Sequence, residues 1–347
     1  MQRRRIVAPL VVAMGSRALP CLVCASLIAS LTTAHAQDVR PEAVAAAASE
    51  DERAEAGAGE AEADAEAGSE ADGEDGSFVR RGGGEPLPWG EDWGHFGGGD
   101  YAVLAVGGVA TIVFSALAPR GDGWTTRTGA DKSVRSALRR PTLQRRQNVR
   151  DVSDLSLSLL VSWPFLVDGL LLGLWYHDSP EVARELTLMA VEVQFISGAL
   201  QAMTTTLVGR ERPYVRDCAE DGRLDDADCM GRSRFRSFFS GHTSQSFAGA
   251  ATACVYHAKL PLFSAEHRRV DAGLTCALGF GLAALTGSFR IMGDMHYITD
   301  VLTGAVVGTA VGLGLPLLRM RGRAEVPTGP TVRIVPQGLG LGLVGMF

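Results

Sequence analysis

Ser288-Phe289-Arg290-Ile291-Met292-Gly293-Asp294-Met295-His296-Tyr297-Ile298-Thr299-Asp300 passes directly into an uncharged run from Val301 to Leu318. The join between these two stretches decides the fold. His296 and Asp300 are four residues apart at the head of an apolar helix, so they share one face. The Asp300 carboxylate is then expected to accept a hydrogen bond from one ring nitrogen of His296, which fixes the tautomer and leaves the other nitrogen free to attack phosphorus. Gly293 is expected to supply the turn that lets Arg290 reach back to the same point, where a guanidinium grips two phosphate oxygens at once.

Two earlier segments fit the same chemistry. Phe239-Ser240-Gly241-His242-Thr243-Ser244 reads as a helix start, with Ser240 as cap and Gly241 allowing close approach, so first-turn amides face an anion. His242 is the expected proton donor to a leaving alkoxide. Arg210-Glu211-Arg212-Pro213 closes an apolar stretch, and Pro213 marks the exit from its helix. Arginines at that point neutralise charge on a transferring phosphoryl group.

Six apolar stretches, at about Tyr101–Ala118, Leu155–Tyr176, Val182–Val208, His242–Phe263, Ala272–Phe289 and Tyr297–Leu318, predict an all-α bundle of about six core helices. Gly304, Gly308 and Gly312 recur every four residues in the last, a spacing that admits a second helix at close range. Tyr101–Ala118 and Val301–Leu318 are uncharged and long enough to span a bilayer, whereas Val182–Val208 carries Arg184, Glu185, Glu192 and Gln194, which must turn inward to do so. No nucleotide-binding glycine loop or heptad series is present, and nothing points to nucleic acid.

The three segments together resemble the signature of the type 2 phosphatidic acid phosphatase superfamily, which includes bacterial acid phosphatases and vanadium haloperoxidases. That signature reads Lys-x6-Arg-Pro, then Pro-Ser-Gly-His, then Ser-Arg-x5-His-x3-Asp. Arg212 and Pro213 match the first, Ser240, Gly241 and His242 the second, and Arg290, His296 and Asp300 the third. Thr205 stands at the lysine position, Phe239 at the proline before Ser240, and Phe289 at the serine before Arg290. The resemblance implies a helical phosphatase domain in which His296 forms a phosphohistidine, Asp300 orients it and His242 is the general acid. Arg212, Arg290, Ser240 and Gly241 would then cradle the phosphate, with Arg210 as a further candidate. It implies no metal and no cofactor, and a phosphorylated lipid or small phosphate ester as substrate. Two other readings share these residues: a haloperoxidase with vanadate in the cradle, and a non-catalytic phosphate-binding relative lacking the motif lysine.

The ends of the chain bear on its compartment. Arg3, Arg4 and Arg5, an apolar stretch from Ala18 to Leu31, and Ala34-His35-Ala36 form a secretory signal pattern over residues 1–36. The linker 37–85 contains, from Glu50 to Asp75, twelve acidic residues against one basic, and lacks the apolar groups needed to fold. Without that tract the chain, at −6 overall, is net basic. Residues 86–320 are then the helical domain, and 321–347 a tail whose alternation from Gly338 to Leu343 suggests a strand or hairpin. In an oxidising compartment Cys218 and Cys229 are expected to form a disulfide, and Cys254 and Cys276 to be small core residues. The expected location is the cell envelope: membrane-associated with an extracytoplasmic site, or soluble periplasm. Against this, Pro119–Arg150 holds nine basic and two acidic residues, a bias typical of cytoplasmic loops.

Overall fold

The computed structural model describes residues 83–321 except 122, 125, 224 and 225, together with the backbone of 331–337 and 340–346. The signal-like stretch 1–36 and nearly all of the acidic linker lie outside the described residues. Seven helices of ten residues or more follow in order. They are α1 (Gly98–Ala116), α2 (Gly129–Leu138), α3 (Leu143–Tyr176), α4 (Pro180–Val208), α5 (Gly241–Lys259), α6 (Arg268–Met292) and α7 (Ile298–Arg319). The architecture is an all-α bundle. Beyond it, β1 (Thr331–Gln337) and β2 (Gly340–Met346) pair antiparallel, from Thr331 opposite Met346 to Gln337 opposite Gly340.

Local chemistry sets the helix limits. α3 starts three turns before the apolar stretch at Leu155, with Thr142 Oγ1 accepting from the Arg145 amide at 3.3 Å. Those turns are polar because they leave the apolar layer: Arg146 Nη2 lies 2.5 Å from Asp221 Oδ2, and Arg150 Nε donates to the Gly293 carbonyl at 2.8 Å. The second half of α3, Trp163–Tyr176, is π-wound from the point where Pro164 removes a backbone donor. α2 is an amphipathic, basic helix that the hydropathy pattern does not reveal. It opens on a reciprocal cap in which Asp131 N donates to Thr128 Oγ1 at 3.1 Å and Thr128 N to Asp131 Oδ2 at 3.0 Å.

α5 is the centre of the bundle, and 12 of its 19 residues are buried. It packs on α7 along a stripe of close contacts, because a Cβ at Gly304, Gly308 or Gly312 would collide with the carbonyl oxygens of Ser240, Ser244 and Ala248 respectively. α5 also meets α6 closely enough for Cys254 and Cys276 to be bonded, with Cα atoms 4.7 Å apart. This corrects the expectation of two separate core thiols: neighbouring antiparallel helices bring to one depth residues that are 22 apart in sequence.

Apart from α2, the helices alternate in direction, so the connections fall at two ends. At one end Arg120 N donates to Thr206 O at 3.1 Å, Arg140 N to Met292 O at 3.0 Å and Ser240 N to Asp300 O at 3.1 Å. All three motif segments and α2 are gathered there. At the other, Gly94 N donates to Arg319 O at 2.9 Å and His177 sits between the carbonyls of Glu85 and Leu262, over a cluster including Leu87, Trp89, Phe96, Leu186 and Met320.

Five helices, α1, α3, α4, α6 and α7, are long and apolar enough to cross a bilayer. Their outward faces carry Val106, Val109, Ile112, Leu274, Leu278, Leu302 and Val306, all exposed. The chain is a membrane protein. Two acids of α4 that would be costly in lipid are turned inward: Glu185 accepts from Phe96 N at 3.0 Å, and Glu192 pairs with Arg319 at 3.1 Å. Arg184, in the second turn of α4, stays exposed and pairs with Glu185 at 2.7 Å.

Candidate active site

α4 ends at Gly209, whose φ of 58° places the chain in the left-handed region and turns it back towards the bundle. Arg210 follows, and it does not enter the anion cradle. Its Nη1 bonds Asp300 and, at 2.7 Å, Thr299 Oγ1; its Nη2 is 2.7 Å from Asp131 Oδ2. The guanidinium lies between the Trp124 and Tyr297 rings, 4.0 and 4.5 Å from their centroids. Two carboxylates and Thr299 engage its Nη groups and two rings cover its faces, so Arg210 is a strut beneath the site. Arg212 points the other way, with Nε 3.3 Å from the Arg236 carbonyl and Nη1 3.9 Å from Met295 Sδ.

His296 is buried in the turn between α6 and α7. Its Nδ1 is 2.8 Å from the Ser237 carbonyl oxygen, which can only accept, so Nδ1 carries the proton and Nε2 presents a lone pair. Asp300 does not make this contact, since its Oδ2 is 3.9 Å from Nδ1. The carboxylate instead accepts from Ser237 Oγ at 2.6 Å, from the Tyr297 amide at 2.9 Å and from Arg210. It therefore orients His296 at one remove, by holding the residue whose carbonyl holds the ring. Burial, and then the positive charge of Arg212, Arg290 and His242, keep the His296 imidazole well below its ordinary pKa of 6.5. These four side chains, from three separate segments, share one electrostatic neighbourhood.

His242 occupies the first turn of α5. Its Nε2 lies 2.7 Å from Asp154 Oδ1, and the same oxygen accepts from Arg290 Nη1 at 3.0 Å. Asp154 on α3 thus links the second histidine to the second arginine, a role that sequence reasoning missed. Its only sequence signal is to be one of two acids, with Asp151, between a basic stretch and an apolar run, and its partners are 88 and 136 residues away. Ser240 is fully buried and its polar groups are committed: Oγ accepts from the Thr243 amide at 3.4 Å and Thr243 Oγ1 at 2.9 Å, and N donates to Asp300 O. It caps α5 and thereby positions Gly241 and His242, in place of a direct hold on phosphate. The first-turn amides of α5 have no intrahelical acceptor by construction.

Positive φ in the α6–α7 turn belongs to Asp294, at 62°, while Gly293 has an ordinary φ of −78°. Gly293 is needed for space, since a Cβ there would come within 2.8 Å of Arg150 Cγ. Asp294 is held by Arg135 at 2.7 Å and Arg139 at 3.0 Å, and Arg135 and Arg139 also pair Asp217. Cys218 and Cys229 are bonded, and the bridge packs with Tyr214 on Met295, next to His296. Thr205, at the motif lysine position, is buried and donates back to the Gln201 and Ala202 carbonyls at 3.0 Å, adding no charge. Asp131 serves α2, Arg210 and the start of α7 together. Burial alone would raise its pKa, but hydrogen bonds from Thr299, Thr128 and Arg210 outweigh it and hold the carboxyl below the usual range. Among the described residues no group of three or more His, Cys, Asp or Glu side chains is arranged to hold a metal ion.

Residues 186–323 match the family model described as PAP2 superfamily. Lipid phosphate phosphatase 1 of Arabidopsis thaliana is 32% identical over 130 residues, covering 33% of this chain and 39% of that protein. Probable lipid phosphate phosphatase 4 of the same plant is 30% identical, covering 33% and 42%. The chain thus spans about two fifths of the length of the curated relatives it matches. A solved transmembrane PAP2-type phosphatidylglycerolphosphate phosphatase from Bacillus subtilis is similar at 17% identity and a TM-score of 0.39, covering 62% of this chain and 93% of its own. The matched segment contains all three motif segments, from Thr205 to Asp300. Over residues 186–323, which carry the candidate site, this chain is similar to the PAP2 superfamily.

Proposed function

We propose that this chain is a membrane-embedded phosphomonoesterase that removes phosphate from a lipid phosphate or a small phosphate ester without a metal, through a phosphohistidine on His296. The observation that carries the reading is a single one: an uncharged imidazole with Nε2 unprotonated, held among Arg212, Arg290 and His242. The two guanidiniums neutralise the phosphoryl oxygens, as a transition state with charge spread over three oxygens requires. Nε2 attacks phosphorus in line, the P–O ester bond breaks, and the proton on His242 passes to the departing alkoxide. Water then attacks the P–N bond and gives its proton to His242, releasing inorganic phosphate. Asp154 keeps His242 and Arg290 in register during both steps. The lipid phosphate phosphatases among the relatives favour a lipid substrate, and the apolar faces beside the site suit it.

The site end is read as extracytoplasmic. The Cys218–Cys229 bridge lies in the connection at that end, and such bridges persist in oxidising compartments. α2 and its basic neighbours share that end, against the usual charge bias, so the orientation needs its own test. A membrane-impermeant thiol reagent on intact cells should label Glu220→Cys at the site end and spare Glu266→Cys at the other; the reverse pattern overturns the orientation. For the reaction, purified full-length protein is assayed with p-nitrophenyl phosphate and phosphatidic acid in EDTA. Turnover is expected to persist with chelator and to vanish in His296→Ala. Activity that survives the substitution, or disappears with chelator, removes the mechanism.

A further inference from the structure

A cavity of about 320 Å³ opens at the site end, lined by Arg127, Lys132, Arg135, Ser136, Arg139 and Tyr297. Its wall carries four cations and no carboxylate. Arg135 and Arg139 are fixed by Asp294 and Asp217, which leaves two more positive than negative charges in this cluster. α2, which supplies Lys132, Arg135 and Ser136, is fastened to the bundle through Asp131, bonded to Arg210 at 2.7 Å and to Thr299 Oγ1 at 2.8 Å. A basic helix that merely faced water would need neither the cavity nor this anchoring. Tyr297, which follows His296 directly, closes one side, so the cavity adjoins the turn that carries the candidate nucleophile.

We infer that this cavity is a second anion site, which binds a phosphate group other than the one His296 would attack. Arg135 and Arg139 form its fixed floor, and Arg127 and Lys132 close on the anion from the rim. The ligand chemistry is a phosphate mono- or diester, supplied either by an anionic lipid headgroup or by phosphate in solution. The site is a property of α2 and the adjoining turn, and it holds whether or not His296 reacts.

The test is equilibrium dialysis of the full chain, in a neutral detergent, against labelled inorganic phosphate. Two equivalents are expected for the wild type, one of them lost in Arg212→Ala. Lys132→Glu should weaken the other about tenfold while leaving p-nitrophenyl phosphate hydrolysis unchanged, and Lys132→Ala should do so to a smaller extent. Competition by phosphatidylglycerol vesicles but not by phosphatidylcholine vesicles assigns the occupant as an anionic headgroup; competition by neither assigns it as free phosphate. A wild type whose single equivalent is lost in Arg212→Ala, or a Lys132→Glu chain whose phosphate binding is unweakened, overturns the inference. A single equivalent that survives Arg212→Ala and weakens in Lys132→Glu keeps this site and counts against the one at His296.

Discussion

His296 works through what surrounds it, and its surroundings make two residue-level predictions. Its folded pKa lies below 6.5, so Nε2 stays unprotonated to lower pH than a free imidazole would. The acid limb of kcat/KM should therefore fall below pH 6.5 rather than at it. The same sign applies to folding: below 6.5 the unfolded chain binds a proton that the folded site refuses, so stability should decline on acidification. A pH–rate profile on p-nitrophenyl phosphate checks the first. Arg210 and Arg212, two residues apart, should separate by phenotype. Arg210→Ala strips the cation from the buried carboxylates of Asp131 and Asp300 and should cost about 3–5 kcal/mol in thermal unfolding. Arg212→Ala should leave the unfolding temperature nearly unchanged and instead weaken inhibition by vanadate. Both arginines are plain in the sequence, and it suggests that both face phosphate. Only the folded partners, 79 and 90 residues away for Arg210, assign one to the scaffold.

At the scale of elements, the contact between α5 and α7 governs the site, because α5 carries His242 and α7 begins beside His296. Three glycines on α7 meet three backbone carbonyls on α5, and the spacing of four residues was legible as a close-packing stripe. Its partner was not, since the facing positions of α5 are Ser240, Ser244 and Ala248, which carry no complementary pattern. Gly308→Ala should force the helices apart at a cost of about 1–3 kcal/mol, and Gly308→Val at more. Thermal unfolding in detergent measures the cost, and phosphatase turnover should fall with it as His242 moves away from Arg290. α5 also explains why hydropathy is an incomplete guide to spans. The sequence counts His242–Phe263 among its apolar stretches, but α5 is rich in Ser, Thr, Gly and Ala because protein, not lipid, surrounds it, and it is not one of the five helices apolar enough to span although it lies at the bundle's centre. The polar turns of α3 and the whole of α2 escaped notice for a related reason: their cations answer to Asp221, Asp294 and Asp217, and pairing of that kind leaves no periodic trace.

For the whole molecule, two disulfides tie together what the helices alone would hold less firmly. Cys218–Cys229 closes 11 residues of the connection that packs on Met295, and Cys254–Cys276 joins α5 to α6 across 22. Chain-entropy reasoning gives about 3 kcal/mol for each. Reduction should lower the unfolding temperature, and Cys218→Ser with Cys229→Ser should in addition reduce phosphatase turnover, because that bridge supports the turn bearing His296. Equal turnover in the doubly substituted chain would separate the bridge from the site. What the sequence determined by itself was the helical class, the membrane-length apolar runs, the three motif segments and the residue types of a phosphate site. Those features are local, written in composition and in spacings of a few residues. What only the tertiary structure decided was the partnership: Ser237 rather than Asp300 on His296, Asp154 between His242 and Arg290, Arg210 beneath the cradle instead of in it, and a basic cavity against α2. Such pairings join groups up to 136 residues apart, and they depend on distances of a few ångströms that helix packing sets and periodicity does not encode.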